Sequence, residues 1–422
     1  MNLVRTSVLN GIAVAIRLGT GLLLNKILAI YVGPGGYTVI GQFQNVLAML
    51  QTFASGGINT GVTKYTAEYT GDEQRQISVS RTAGTITVLG SGLAAVILAL
   101  LREPLAKALL HDINLAPIFL WLAASLSLFS FNGLLIAILN GRKDINRFIA
   151  ANIVGAILGL LVTGLFVVAW GLYGALVSLC LNQAAIFVVT IVICWRTLWF
   201  RASTLFGSID LDVAKRLGQF ALMAVTSALV TPLAQIAVRS YAIDTYGNTY
   251  AGFWEATQRI SATYLSLATT TLSIYYLPRI SELLNPSSLK AELKAGYKLI
   301  LPIVIIAALT LYVFRDLIIT TLFASTFMPM QELFAWQLLG DVVKVASWML
   351  AYVMVGKAMT SWFIITEIYF GLQYCGLTVA MSHWFGFQGL TIGYAANYLI
   401  YLAAMYALIV CKYLRDNEVK TS

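Results

Sequence analysis

Trp170-Gly171-Leu172-Tyr173-Gly174 ends one apolar stretch and begins another, and in the second half of the chain Phe385-Gly386-Phe387-Gln388-Gly389 does the same. Apolar windows flank both motifs, 147–169 and 174–195 around the first, 361–382 and 390–412 around the second. About 20 apolar residues cross a bilayer, so each motif reads as a short connection between two membrane spans. The interval that separates the two motifs also relates Asn182 to Asn397, Gly141-Arg142 to Gly356-Lys357 and Phe148-Ile149 to Phe363-Ile364. At a slightly shorter interval, Lys26-Ile-Leu-Ala-Ile pairs with Arg239-Ser-Tyr-Ala-Ile, and Leu101-Arg102-Glu103 with Phe314-Arg315-Asp316. Chance supplies any one such pair, but a series of them in order at nearly one spacing indicates an internal repeat.

The composition agrees with a membrane setting. Of 422 residues, 59% are hydrophobic and 11% charged, where a soluble domain carries about 25% charge; the mean hydropathy is +0.81. This excludes a soluble enzyme, a nucleic-acid-binding module and a disulfide-stapled secreted domain. Cys180, Cys194, Cys375 and Cys411 lie in or beside apolar segments without a CxxC partner, and the two histidines, His111 and His383, fall in candidate loops. Metal ligation and hydrolytic catalysis therefore lack raw material, and no cofactor is expected. The run from Val8 to Val32 is too long for a signal-peptide core and reads as an uncleaved first span. No hydrophilic stretch approaches the ~50 residues of a compact domain, so energy must come from a gradient or another protein.

Twelve spans are predicted, near 8–32, 38–63, 82–101, 115–140, 147–169, 174–195, 217–242, 251–278, 296–322, 332–356, 361–382 and 390–412. With six per half, both copies have the same orientation, a parallel repeat about an axis along the membrane normal. The fold class is thus an all-α polytopic membrane protein, twelve helices in two parallel six-helix bundles around a central cavity. The expected organisation is an N-terminal bundle over 1–195, a linker over 196–216, a C-terminal bundle over 217–413 and a tail over 414–422. Nineteen of the 27 lysines and arginines fall on the side of the N-terminus, including Arg5, Arg75, Lys143, Arg196, Lys290, Arg415 and Lys420, against Arg102, Lys107 and Arg315 on the other. The positive-inside rule puts that side, and both termini, in the cytoplasm; the net charge of +9 follows from it and needs no nucleic acid.

Charges inside spans cost ~2.5 kcal/mol or more unless they face a cavity or a partner. Arg17 lies about 13.5 Å into the first span, close to the midplane. Lys26 and its repeat mate Arg239 sit nearer the outer mouth, and Arg259 and Lys344 lie deep in spans eight and ten. Against these five cations stand Glu255, Asp341 and Glu367; an excess of two positive charges suits an anionic substrate. Simpler readings compete. Glu255 and Arg259 are i, i+4, and Asp341 and Lys344 i, i+3, so each pair can neutralise itself. Lys26 and Arg239 can snorkel to the interface. Arg17 and Lys26 are half a turn out of register, so both face one lumen only if Gly19 and Gly21 distort the helix. Glu367 has no partner in its own helix and is a candidate coupling site. The polar residues of span two (Gln42, Gln44, Asn45, Gln51, Asn59) and Gln235, Gln258, Gln337 and Gln373 in later spans fit a wet cavity or interhelical hydrogen bonds. Most of the 21 tyrosines and 9 tryptophans are assigned to interfacial belts.

Tyr31-Val-Gly-Pro-Gly-Gly-Tyr37 with Gly41-Gln-Phe43, Gly57-Ile-Asn-Thr-Gly-Val-Thr-Lys-Tyr65, Tyr276-Leu-Pro-Arg-Ile-Ser281 and Leu333-Phe-Ala-Trp-Gln-Leu-Leu-Gly-Asp-Val-Val-Lys344 resemble the Wzx-type lipid-linked oligosaccharide flippases. These belong to the multidrug/oligosaccharidyl-lipid/polysaccharide exporter superfamily. The resemblance runs over essentially the whole chain, and 57–65 and 333–344 are closest to the enterobacterial common antigen branch. It implies a positively charged central cavity and movement of an undecaprenyl-diphosphate-linked oligosaccharide, a common antigen or O-antigen unit, from the cytoplasmic to the periplasmic leaflet of the bacterial inner membrane. It also implies that Arg17 and Lys26 serve as cations for the diphosphate, with Lys64, Asp341 and Lys344 inside family-like motifs. The implied partners are the lipid-linked sugar, membrane lipids, and the polymerase and chain-length machinery. A diphosphate needs several Arg or Lys donors to replace its water, which the residues supply. A drug exporter of the same superfamily is the alternative, although a site for cationic drugs should be net acidic. A major-facilitator porter lacks its expected motif after span two, where the chain reads Lys64-Tyr-Thr-Ala-Glu-Tyr-Thr-Gly-Asp-Glu. A membrane-embedded glycosyltransferase, polymerase or ligase needs a large outer loop that the sequence does not offer, so no enzyme is expected.

Overall fold

The computed structural model describes the backbone of residues 3–414 except 111, 143, 196, 198, 273–275, 277, 278, 281, 282, 284 and 358, and the side chains of these residues except 3–15, 17, 145, 202, 219, 220, 270, 271 and 411–414. The side chains of Arg5, Arg17 and Cys411, and all of His111, Lys143, Arg196, Arg415 and Lys420, thus lie outside the described residues. Helix ends follow local chemistry. Prolines stand in the first turn of α2 (Gly33–Ala54), α5 (Ala116–Gly141) and α9 (Pro286–Val313), where a missing N–H leaves no bond unmade. Asp72 caps α4 (Glu73–Leu100) by accepting the N–H of Arg75 at 3.1 Å, Asp144 caps α6 (Ile145–Cys194) through Arg147, and Asn285 caps α9 through Ser287 at 3.0 Å. The other long helices are α1 (Leu3–Tyr31), α7 (Leu211–Tyr246), α8 (Asn248–Thr271), α11 (Gln331–Gly356), α12 (Thr360–Phe385) and α13 (Gly389–Tyr406).

The two glycine motifs are turns. At 1.5 Å per residue the 50 residues of α6 would run about 75 Å, more than twice the ~30 Å hydrocarbon core. Gly171, at φ 55° and ψ −130°, breaks α6 into a hairpin. Gly386, at φ 59° and ψ −140°, does the same between α12 and α13. Just after each turn the two arms of the hairpin meet so closely that a Cβ on Gly174 would strike the Phe166 carbonyl, and one on Gly389 the backbone of Met381. Phe166 and Met381, like the turn glycines and the contact glycines, are mates at the interval of the sequence repeat.

The repeat extends to other backbone details. Leu101 and Phe314 end their helices at φ, ψ of −97°, 14° and −95°, 15°. Asp144 N–H donates to the Leu139 carbonyl at 3.0 Å, and Met359 N–H to that of Met354 at 2.8 Å. The two repeat mates are also equally enclosed: 61% of the apolar window is buried both in Ile113–Gly141 and in Ser325–Gly356. By contrast α4 and α9 turn Leu89, Leu93, Ile306 and Leu309 outward, as lipid-facing helices do. Twelve spans result, counting α6 twice and α2 with its continuation as one: a multi-pass, all-α membrane protein.

Three helices depart from expectation. Span two is broken at Ser55–Ile58 into α2 and α3 (Asn59–Glu68), because Gly56 and Gly57 both sit at positive φ, 65° and 64°. A Cβ on Gly56 would lie 2.9 Å from Ile86 Cγ2, and one on Gly57 3.2 Å from the Ala221 carbonyl oxygen. Span nine stops at Val313, and α10 (Arg315–Leu322) is separate, since Phe314 leaves helical geometry where Arg315 and Asp316 need water. Span one runs unbroken through Gly19 and Gly21, so positions 17 and 26 remain about half a turn apart and do not share a face. His383 lies in the last turn of α12, not in a loop.

The chain divides into two compact units, one comprising Met1–Val32 and Val39–Pro232, the other Gly33–Thr38 and Leu233–Ser422. Pro232 lies inside α7, so that helix belongs to both. The first unit is cored by Val62, Val79, Leu134, Ile138, Leu205 and Leu217. In the second, Tyr276, Leu289, Val345, Met349 and Met405 form one apolar cluster, and Trp254, Leu333, Tyr374 and Leu390 belong to another.

Candidate functional site

Of the sequence candidates in the first unit, Lys26 is half-buried on α1. Lys64 is exposed on α3, its ammonium 5.1 Å from the Tyr65 ring centre. The side chain of Arg17 is outside the described residues. The remaining candidates, Arg239, Glu255, Arg259, Asp341, Lys344 and Glu367, all belong to the second unit and fall into two clusters there.

The first cluster is an Arg–Glu–Arg triad. α8 places Glu255 and Arg259 one turn apart, and Arg259 Nε donates to Glu255 Oε1 at 3.2 Å. α7 brings Arg239, whose Nη2 donates to Glu255 Oε2. Arg239 is 2% exposed and Glu255 5%. Each guanidinium also covers an aromatic face, Arg239 over Trp254 at 5.3 Å and Arg259 over Tyr37 at 5.0 Å. An ion removed from water costs several kcal/mol unless paired; one carboxylate serves two guanidinia here, leaving the triad one unit positive. Arg239 therefore does not snorkel: its carboxylate partner and the indole face hold it inside.

The second cluster is centred on Asp341 of α11, fully buried. Tyr394 and Tyr264 donate their hydroxyls to its two oxygens at 2.8 and 2.9 Å, and the Gln337 amide donates to Oδ1 at 3.4 Å. Gln337 exchanges reciprocal amide bonds of 3.3 Å with Gln258, the residue before Arg259, so α8 carries members of both clusters. Lys344, one turn beyond Asp341, lies against three rings, with its ammonium 4.8 Å from Trp348, 5.1 Å from Tyr398 and 5.4 Å from Tyr394. Asp341 and Glu367 are its charged neighbours. Glu367, on α12, thus has a cation near it on α11. The arrangement offers cations, hydroxyls and aromatic faces inside a membrane-spanning bundle, the chemistry that anions and sugar rings require.

Sequence spacing found the Glu255–Arg259 pair but missed the rings. Tyr264, Trp254, Trp348, Tyr394 and Tyr398 are not belt residues; they are packed inside the second unit. Their signal was present in the helical spacing of Tyr394, Tyr398 and Tyr401, and in Trp348 one turn after Lys344.

Comparison with known proteins follows the same line. The family model described as "Polysaccharide biosynthesis protein" matches residues 27–332. The "Lipid III flippase" of Escherichia coli (strain K12) is 29% identical over 407 residues, 96% of this chain and 97% of the relative. Among solved structures, a multidrug resistance MATE family transporter of the MOP superfamily in its inward-facing conformation superposes with a TM-score of 0.79 at 17% identity, over 97% of this chain and 100% of that one. An outward-facing conformation of such a transporter gives 0.73 at 18%, over 99% and 97%.

Proposed function

The chain is a member of the polysaccharide biosynthesis protein family, and from that premise we propose that it is a flippase for an undecaprenyl-diphosphate-linked oligosaccharide. In this reading it works in the bacterial inner membrane, moving a common antigen or O-antigen unit from the cytoplasmic to the periplasmic leaflet by alternating access, without covalent chemistry. The observation that carries the reading is the membrane-buried triad, where two guanidinia share one carboxylate and favour an anion; the second cluster, with Asp341 and Glu367 beside Lys344, has the reverse balance and suits a coupling cation. The whole-length similarity to lipid III flippases supports the substrate class, whereas the transporter structures share the fold alone. The cations proposed to meet the diphosphate along its path are Arg17, Lys26, Lys64, Arg239, Arg259 and Lys344. Asp341, Glu255 and Glu367 are assigned to ion coupling.

The test is translocation in proteoliposomes carrying a lipid-diphosphate-linked oligosaccharide on one leaflet, scored by an impermeant sugar-modifying enzyme. Wild type is expected to transfer the lipid. Arg17→Ala is expected to lose at least tenfold in rate, the equivalent of one charge-assisted contact of about 1.5 kcal/mol, and Arg17→Lys to retain most of it. A proton gradient that accelerates wild type but not Asp341→Asn would assign coupling to Asp341. No transfer by folded wild type would overturn the proposal in favour of the small-molecule exporter.

A further inference from the structure

The first unit carries two cavities that share one wall. The polar one, about 650 Å³, is lined by Glu73, Gln76, Arg142, Asp144, Arg147 and Trp199. The apolar one, about 340 Å³, is lined by Phe131, Leu135, Phe187, Ile191, Phe200 and Phe206, with Arg201 also in its lining. Adjacent residues link them: Trp199 lines the first and Phe200 the second, their rings 6.0 Å apart and nearly perpendicular. The cavities differ in depth as well as in polarity. Arg142 caps the end of α5, whereas Phe131 lies about 15 Å back along the same helix and Ile191 three residues before the end of α6. One cavity therefore opens at the ends of the spans and the other lies below it, among their apolar residues.

The charges of the polar cavity are unequally engaged. Arg147 is held by Asp144 at 2.5 Å. Arg142 is stacked on the Trp199 ring at 5.2 Å, and its Nε is buried without a hydrogen-bond partner. A buried guanidinium N–H is costly to leave without an acceptor, and a phosphate oxygen is the acceptor that suits it. Gln76 is otherwise engaged, donating to the Thr66 carbonyl at 2.8 Å, so the Arg142 Nε–H is the donor left over, with Glu73 as the charged neighbour of its guanidinium.

We propose that these paired cavities form a loading site for the polyprenyl-diphosphate lipid, with the diphosphate on Arg142 and the first isoprene units in the groove of Phe131, Phe187 and Phe206. The inference rests on the flippase reading and adds to it a position in the first unit where substrate waits before crossing. A diphosphate needs a cation at the membrane surface, and a methyl-branched tail needs an apolar slot directly beneath it. The two cavities supply these in that order.

The experiment uses the full chain in nanodiscs with farnesyl diphosphate bearing a diazirine on its tail. In wild type, photolabel is expected in the peptides holding Phe131, Phe187 or Phe206, displaced by excess unlabelled farnesyl diphosphate but not by phosphatidylglycerol. Arg142→Gln is expected to weaken binding about tenfold to a hundredfold, and Phe187→Ser to weaken farnesyl diphosphate while leaving inorganic diphosphate unaffected. Label elsewhere in the chain, or equal displacement by phosphatidylglycerol, overturns the proposal; the wild-type labelling stands even if a variant fails to fold. Proteoliposome transfer separates the two readings. If wild type transports and Arg142→Gln both binds and transports like it, only the loading site falls; if wild type transports no lipid-linked sugar, the flippase reading itself falls.

Discussion

At the residue scale the triad decides the energetics of the second unit. Arg239 and Glu255 are almost wholly removed from solvent, and Glu255 pairs with both arginines. Glu255→Gln should therefore cost about 3–5 kcal/mol, because it leaves buried guanidinia without their counter-charge. Denaturant or thermal unfolding in detergent checks this, and a change below about 1 kcal/mol would show that the arginines find water or another anion. Tyr394→Phe should cost less, about 1 kcal/mol, since Asp341 keeps the Tyr264 hydroxyl and the Gln337 amide. How much of this was readable from the sequence depends on where each partner lies. Glu255–Arg259 was legible because i, i+4 partners on a helix meet whatever the tertiary fold. Arg239 was left between a cavity cation and a snorkelling one because its partner is on another helix, and a lone cation near a helix end looks the same whether it snorkels or pairs. The rings around Lys344 were missed for a similar reason: belt and core tyrosines differ only in which face of the helix meets protein.

At the scale of elements, paired glycines set where helices turn. Gly171 and Gly386 occupy backbone regions that a Cβ disfavours by about 1–3 kcal/mol. Alanine at either should lower stability by that amount, and by similar amounts at both if the halves share one hairpin design; unequal losses in unfolding experiments would show that the repeat is geometric but not energetic. The segment before α7 is bound closely to α4. Arg81 donates to the Ser203 carbonyl at 2.6 Å, Thr85 to that of Gly207 at 3.0 Å, and Thr82 accepts the Asp210 N–H at 3.1 Å. Asp210 itself accepts from the Val213 N–H and the Ser78 hydroxyl, which hold its carboxyl below the ordinary value. Such a group stabilises the fold above the unfolded carboxylate pKa of about 4 and loses that contribution as pH falls through the lower folded value. Asp210→Asn should therefore flatten the acid limb of a stability–pH profile by lowering the neutral plateau, with the acid end nearly unchanged. An unaltered acid limb would mean that the bonds form only transiently. The hairpin turns were legible as glycine motifs. The Ser55–Ile58 break was not, because Gly56-Gly57 inside an apolar run reads equally well as tolerated helix, and only the approach of Ile86 and Ala221 requires the left-handed backbone.

At the scale of the molecule, charge asymmetry and the repeat bear on one question, the direction of the chain across the membrane. The repeat was legible because glycine turns and helix ends depend on local residues, which both copies kept: the repeat mates Leu101 and Phe314 end their helices with nearly the same backbone angles. Orientation depends on something outside the protein, the bias of insertion against translocating Lys and Arg near span ends. By the positive-inside rule, nineteen cations on one side against three loop cations on the other predict the N-terminus, the 196–216 segment and Asn285–Lys298 on the cytoplasmic side. The connections at 101–115, 170–174, Gly247 and 385–389 are then predicted on the periplasmic side. In a variant whose four cysteines are replaced, single cysteines at Ser208 and Ser287 should react with an impermeant maleimide only after the inner membrane is opened. Cysteines at Asn114 and Asn248 should react in intact spheroplasts. Because an even number of spans separates positions 208 and 287, these two are expected to label together. Labelling at Ser287 from outside, with Ser208 protected, would require an odd number of spans between them and would break the six-plus-six count. Inverted labelling of all four positions would preserve the count and reverse the direction in which the proposed loading site faces, moving it away from the leaflet where a lipid-linked sugar destined for export must begin.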